Sequence, residues 1–222
     1  MDACCFDMDG VVVDSERHWV PLENDRILPA VVDAPPGEEP RASEITGMHV
    51  EDAYALLDRE YGTTLDLDGY LDVYDDAAAE LYDERVALLP GFDRLCEDLR
   101  TAGVAVALVS SSPHRWIDRV LDRFELRDAF DAVVSADDVP GPGKPAPDVY
   151  ADATERLGVD ATASVAVEDS VHGTAAASAA GLDVVGYRTA ANEAVTFADA
   201  DVVVEGAPAL REHLRGRAGV DP

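Results

Sequence analysis

The sequence predicts an α/β fold: a doubly wound, parallel, Rossmann-like sheet with a helical cap domain inserted after the first strand. Three observations carry this expectation. From about residue 87 onward, short apolar runs alternate with helix-length segments, which is the order a parallel sheet needs. Residues 104–109 are apolar throughout, between Gly103 and Ser110, as in a strand buried on both faces. Residues 16–86 break the alternation and contain no convincing strand, so they read as a helical insertion.

Residues 3–6 form the first predicted strand, and 104–109, 132–134, 164–167, 183–186 and 202–204 form the other five. Helices are predicted near 91–101, 113–124, 147–157, 171–180 and 207–216. Pro147 suits a helix's first turn and Gly181 a helix stop. Inside the insertion, helices near 16–28, 51–61 and 68–86 are interrupted by the Pro-rich residues 35–40, and the chain crosses near 13–15 and 85–90. The expected division is 1–14 with 87–222 as the Rossmann-like core and 15–86 as the helical cap. No internal repeat is evident.

Composition bounds the function. With 222 residues and 47% hydrophobic content, the chain can bury a substantial core. A net charge of −29 leaves no basic stripe for phosphodiester backbones, which argues against nucleic acid as a partner. There is no apolar run long enough to span a bilayer and no basic-then-apolar start, so neither a membrane segment nor a signal peptide is expected. Three cysteines, with Cys4 and Cys5 adjacent, make no disulfide framework. These features together point to a cytoplasmic protein; its oligomeric state, monomer or homodimer, they leave open.

The acids are scattered rather than gathered in a tail, and of 17 basic residues only Lys144 is a lysine. Such a surface repels itself unless salt screens it, with a Debye length of about 3 Å at 1 M. The expectation is a halophilic, high-salt cytosol. The plainer alternative is a GC-rich genome that favours Arg, Ala, Gly and Asp.

Ligands of open parallel sheets bind beyond the carboxyl ends of the strands. The residues placed there are Asp7-Met8-Asp9-Gly10, Ser110-Ser111-Ser112 and Glu168-Asp169-Ser170, with Lys144 in the loop 141–145. Two residues apart at a strand end, Asp7 and Asp9 project to the same side. Carboxylates so close ionise poorly unless a cation sits between them or one takes a proton. Mg2+ prefers oxygen ligands and suits Asp7, Asp169 and a backbone carbonyl. A carboxylate at such a site can attack phosphorus while its neighbour protonates the leaving oxygen. Ser110, Ser111 and Lys144 would hold the phosphoryl oxygens, and Gly10 permits a tight turn beside them.

Each piece has a plainer structural reading. Asp-x-Asp-Gly also occurs in turns and calcium loops, although Val11, Val12 and Val13 lack the oxygens an EF-hand requires. Ser110, Ser111 and Ser112 could cap the next helix, Ser112 before Pro113 especially, and Glu168-Asp169-Ser170 the helix near 171–180. Lys144 could be a solvated loop residue. It is their joint arrival at strand ends that favours a site for a divalent cation and a phosphate.

With these residues in place, the sequence resembles the haloacid dehalogenase-like superfamily, in particular the subgroup of β-phosphoglucomutase, phosphoglycolate phosphatase and small sugar phosphatases. Carrying the resemblance are Phe6-Asp7-Met8-Asp9-Gly10-Val11 with Asp14-Ser15-Glu16, then Leu108-Val109-Ser110-Ser111-Ser112, Gly143-Lys144-Pro145-Ala146-Pro147-Asp148 and Val167-Glu168-Asp169-Ser170, in the family's order. The resemblance implies Asp7 as nucleophile forming an aspartyl-phosphate and Asp9 as general acid, then base. It implies Mg2+ held by Asp7, the Asp9 carbonyl and Asp169, with Glu168 ligating the metal or ordering a water on it. Ser110 and Lys144 would bind the phosphoryl group. The second aspartate separates phosphatase-like members from the dehalogenases.

The departures bear on substrate. The mutase resembled here clamps a second phosphate with a cap arginine and a cap lysine. At the corresponding loop this chain has Val50, and its cap contains no lysine. Trp19 falls where that mutase has a cap histidine, with His18 one residue short. His18, His49 and His114 remain as substrate candidates; His114 and His172 read equally well as polar residues at helix starts, and Tyr54 and Tyr61 as packing residues. The expected function is a Mg2+-dependent phosphomonoester hydrolase acting on a small phosphorylated metabolite, a sugar phosphate among the candidates. The alternatives are a phosphomutase and a catalytically silent phosphate-binding module.

Overall fold

A computed structural model describes residues 1–35 and 37–220; Pro36 of the Pro-rich interruption, and 221 and 222 at the end of the expected core, lie outside the described residues. Six strands form one parallel sheet: β1 (Ala3–Phe6), β2 (Ala105–Ser110), β3 (Ala132–Ser135), β4 (Val165–Glu168), β5 (Asp183–Arg188) and β6 (Val202–Glu205). Their spatial order is β3-β2-β1-β4-β5-β6, so the winding direction reverses between β1 and β4. That reversal opens a crevice at the carboxyl edge of the sheet.

All four residues of β1 are buried. Alternation along the strand sends Cys4 and Phe6 to one face and Cys5 to the other. On the first face they join Phe92, Leu95 and Leu99 of α5 (Phe92–Thr101), Ile117 and Val120 of α6 (His114–Arg123), and Leu210 and Leu214 of α9 (Gly206–Ala218). On the second, Cys5, Ala107, Val109 and Ala166 meet Val149, Tyr150 and Ala153 of α7 (Asp148–Leu157) and Ala176 and Ala177 of α8 (Val171–Ala179). Sandwiched between helices, the central strands can be apolar throughout.

Between β1 and α5 the chain is helical: α1 (Glu16–Leu22), α2 (Leu28–Val31), α3 (Val50–Tyr61) and α4 (Leu67–Glu80). Two runs expected as single helices are instead interrupted. Glu23–Ile27 and Leu81–Arg85 are π-helical turns. The first lies between Pro21 and Pro29, each of which removes a backbone donor from the i→i−4 ladder. Pro147 sits at the N-cap of α7 rather than in its first turn. Gly181, at φ 88°, follows α8 as a stop.

The helical segment packs onto the core through charged and aromatic contacts. Arg115 Nε donates to both carboxylate oxygens of Asp75, at 2.8 and 2.9 Å, and Trp116 Nε1 donates to Asp75 Oδ1 at 2.6 Å. The Trp19 ring stacks on both Tyr74 and Trp116, with centroids 5.7 Å away in each case. Tyr54 packs against Tyr70, and the Tyr61 hydroxyl donates to Glu44, so both tyrosines serve the helical layer itself.

Candidate active site

Strand register sets the site. Phe6 pairs with Leu108 on one side and Val167 on the other, so the next residue, Asp7, comes level with Val109 and Glu168. Lys144 joins all three: its Nζ lies 2.6 Å from Asp7 Oδ1, 2.6 Å from Glu168 Oε1 and 3.1 Å from the Val109 carbonyl. The lysine is only 2% exposed. Burial alone would lower its ammonium's pKa, but the two carboxylates outweigh that and hold it above the ordinary value. The Tyr150 hydroxyl also donates to Glu168 Oε1, at 2.6 Å.

Asp7, Glu168 and Asp169 are buried and each offers an oxygen within 4.8 Å of the others. Burial pushes Asp7 up to about 8, with Glu168 and Asp9 adding to the rise and Lys144 opposing it. Burial likewise lifts Asp169 well above the usual carboxylate range, and the Glu16, Asp7, Glu168 and Asp9 charges lift it further. One lysine does not neutralise these acids. A buried, oxygen-only donor set with excess negative charge fits a hard divalent cation.

Gly10 turns the chain at φ 82°, and a Cβ there would fall 1.9 Å from Asp169 Oδ2. Its N–H donates to the Val13 carbonyl at 2.8 Å and also faces Ser15 Oγ at 3.2 Å, so glycine here makes room for Asp169 rather than offering a free donor. Gly173 is equally constrained, since a Cβ would fall 1.9 Å from Glu168 Oε2.

Asp9 is held by three hydroxyls. Ser15 Oγ and the Tyr82 hydroxyl donate to its Oδ1 at 2.7 and 2.6 Å, and Ser112 Oγ donates to Oδ2 at 2.7 Å. Its carbonyl oxygen accepts no hydrogen bond among the described residues. Ser110 Oγ accepts the Ser112 N–H at 3.0 Å, which leaves its own proton to donate elsewhere. The Ser111 hydroxyl donates to the Gly47 carbonyl at 2.7 Å, tying the core to the helical segment. Ser112 does not cap α6, whose N-cap is Pro113.

The remaining candidates stand apart. A pocket above Asp7 and Asp9 is lined from the helical side by Glu16, Trp19, Glu23, Tyr70, Tyr74 and Tyr82, and none of the three candidate histidines lines it. His18 borders a separate groove, lined by residues of the helical segment alone. His49 Nε2 lies 3.2 Å from Asp137, and His114 Nε2 lies 2.8 Å from Asp138. His172 Nδ1 faces the Thr46 carbonyl at 2.9 Å and so fastens the loop above the pocket.

Tyr82, Glu23, Ser15 and Tyr150 were not singled out as site residues from sequence, although a signal exists for the first two. Trp19, Glu23 and Ile27 recur every four residues, so an acid occupies the buried stripe of its helix. Tyr70, Tyr74, Ala78 and Tyr82 repeat the same spacing, which places three hydroxyls on another buried stripe.

Residues 1–181 match the family described as haloacid dehalogenase-like hydrolase. Hexitol phosphatase B of Escherichia coli is 35% identical over 179 residues, 80% of this chain and 79% of that one. A phosphorylated carbohydrates phosphatase of Thermotoga maritima is 28% identical, covering 82% of this chain and 83% of its own. Among solved structures, β-phosphoglucomutase of Clostridium difficile superposes with a TM-score of 0.72 at 19% identity, over 99% of this chain and 97% of that one, a likeness of fold.

Proposed function

The chain belongs to the haloacid dehalogenase-like hydrolases and acts on phosphoric monoesters, and from that premise we propose a Mg2+-dependent phosphatase of small sugar-type phosphates that works through an aspartyl-phosphate on Asp7. One observation carries the reading. Asp7 lines the pocket, and Lys144 engages only its Oδ1, while Oδ2 accepts no hydrogen bond among the described residues, which leaves an oxygen of Asp7 for the part of nucleophile.

In this mechanism Asp7 Oδ2 bonds to phosphorus as the ester P–O bond breaks, and Asp9 gives its proton to the departing oxygen. Asp9 then takes a proton from the water that attacks phosphorus, and Asp7 is released with inorganic phosphate. Ser15, Tyr82 and Ser112 hold the Asp9 carboxyl in place for both transfers. Lys144 and the Ser110 hydroxyl offer donors to the phosphoryl oxygens. Asp7, Asp169 and the Asp9 carbonyl would hold Mg2+, with Glu168 ligating it or ordering its water. When bound, Mg2+ offsets the negative charge of the phosphoryl group and keeps Asp7 ionised.

The reading includes a division into a core of 1–14 and 87–222 and a helical cap of 15–86 that covers the site. It also places the enzyme in the cytoplasm, which suits three free, buried cysteines. No helix among the described residues is long and apolar enough to cross a membrane.

The test is phosphate release from p-nitrophenyl phosphate by wild type, Asp7→Asn and Asp9→Asn, with Mg2+ or with EDTA. The reading requires activity that depends on Mg2+ and disappears in Asp7→Asn. Turnover persisting in Asp7→Asn would remove the covalent intermediate.

A further inference from the structure

Resting on the phosphatase reading and extending it to substrate, we propose that Glu23, with the Tyr74 hydroxyl bonded to it, determines specificity by reading a hydroxyl of the leaving group, and that the substrates are monophosphates of uncharged polyols.

Charge supplies the first argument. Among the described residues, no Lys, Arg or His lines the pocket above Asp7 and Asp9. Nearby arginines are already engaged: Arg115 by Asp75, Arg119 by Asp83 at 2.5 Å, and Arg123 by the Tyr82 carbonyl at 2.7 Å. A second phosphate on the substrate would bring up to about −2 charge into a wall of acids and aromatic rings that offers it no cation. The pocket therefore selects against bisphosphates, including any that a phosphomutase would need to hold.

Hydrogen bonding in the same wall points to a ligand hydroxyl. Glu23 opens the first π-helical turn and is 8% exposed, and it lines the pocket. The Tyr74 hydroxyl donates to its Oε1 at 3.2 Å, while Oε2 accepts no hydrogen bond among the described residues. Beside it, the fully buried Tyr70 hydroxyl faces the Tyr74 hydroxyl but makes no well-aligned hydrogen bond among the described residues. The indole donors of this wall are spent, Trp19 Nε1 on Tyr82 and Trp116 Nε1 on Asp75. A polar oxygen that remains unpartnered in an aromatic wall is a place for a ligand hydroxyl. The faces of Trp19, Tyr74 and Trp116 suit the C–H surface of a carbon chain that carries such hydroxyls.

A site built to hydrogen-bond a hydroxyl rejects analogues that lack it, because its own polar groups are then left unpaired. The experiment compares kcat/KM for sorbitol 6-phosphate, fructose 1,6-bisphosphate and p-nitrophenyl phosphate, with Mg2+, in wild type, Glu23→Leu, Glu23→Gln and Tyr74→Phe. Wild type should prefer the polyol monophosphate over the bisphosphate by about tenfold or more. In Glu23→Leu and Tyr74→Phe, the ratio of polyol phosphate to p-nitrophenyl phosphate should fall by about tenfold, mainly through KM, with Glu23→Gln keeping most of it. Tyr74→Phe retains the ring stack, and near-ultraviolet circular dichroism checks that each variant is folded. A ratio unchanged by these substitutions, or a bisphosphate used as well as the polyol phosphate, overturns the inference while the phosphatase reading stands. Wild type inactive on every substrate, p-nitrophenyl phosphate included, overturns both.

Discussion

The Tyr82 hydroxyl donates a 2.6 Å hydrogen bond to Oδ1 of Asp9 across 73 residues of sequence, so the far end of the helical segment helps to hold the carboxyl that follows β1. Tyr82 is fully buried and also accepts the Trp19 indole N–H at 3.1 Å. In Tyr82→Phe the ring contacts survive and the donor is lost. One hydrogen bond to a charged group is worth about 1.5–3 kcal/mol, so kcat should fall by roughly ten- to a hundredfold. Steady-state kinetics on p-nitrophenyl phosphate reads this directly. A kcat within twofold of wild type would mean that Ser15 and Ser112 suffice to position Asp9.

Lys144 is the second lever. Lys144→Met fills much the same volume but leaves Asp7 and Glu168 buried without a cation. Removing one partner of a buried ion pair typically costs about 3–5 kcal/mol. The expected outcome is a lower urea midpoint in EDTA together with loss of phosphatase activity. Divalent cation should restore part of the stability, because it supplies positive charge to the same carboxylates. Equal stability of variant and wild type in EDTA would show that the carboxylates protonate at little cost.

Much of this was legible in the sequence because the relevant signals are local. Apolar runs of four to six residues could be assigned to strands, and the first residues beyond them then fell at one sheet edge. Residues 3–6 were matched at both ends, and β2 and β4 were displaced by one residue. That slip makes Ser110 and Glu168 the last residues of their strands instead of the first beyond them, since a strand end is decided by ladder hydrogen bonds that hydropathy does not record. The partners of Asp9 were harder to see. Ser112 looked like a helix cap because Ser before Pro is common there, whereas its hydroxyl is aimed at a carboxylate 103 residues earlier in the chain. The π-helical turns that carry Glu23 and Tyr82 leave no clear mark in a 3.6-residue pattern.

Glu23 should also set part of the pH dependence of stability. Burial pushes its carboxyl up to about 8, the Tyr74 hydrogen bond opposing the rise and Asp9 adding to it. The folded value thus lies above that of the unfolded chain, near 4.3. Below about 4.3 both states are protonated and Glu23 carries no penalty. Between about 4.3 and 8 the unfolded chain ionises while the folded one does not, so stability falls as pH rises and levels off above 8. The full effect is on the order of a few kcal/mol. Glu23→Gln removes the titration, so its advantage over wild type in urea midpoint should grow from pH 5 to pH 8. A constant difference across that range would mean that Glu23 ionises freely in the folded protein.

The charge of −29 makes the last prediction. Many arginines are already paired on the surface, as in Arg127 with Asp118 and Asp122 and Arg156 with Asp138 and Asp152, yet 46 acids outnumber 17 basic residues. The surplus acids repel one another most in the compact state, where they are closest. Screening weakens that repulsion and the attraction within exposed pairs alike, and with so large a surplus the repulsion dominates. The melting temperature should therefore climb from dilute buffer to molar KCl, with most of the gain once the Debye length drops below the spacing of neighbouring carboxylates. A chloride titration followed by circular dichroism, repeated with sucrose at matched water activity, separates charge screening from general exclusion of solute. If the temperature stays flat in KCl, the acidity reflects composition alone, and the surface needs no salt to hold its fold.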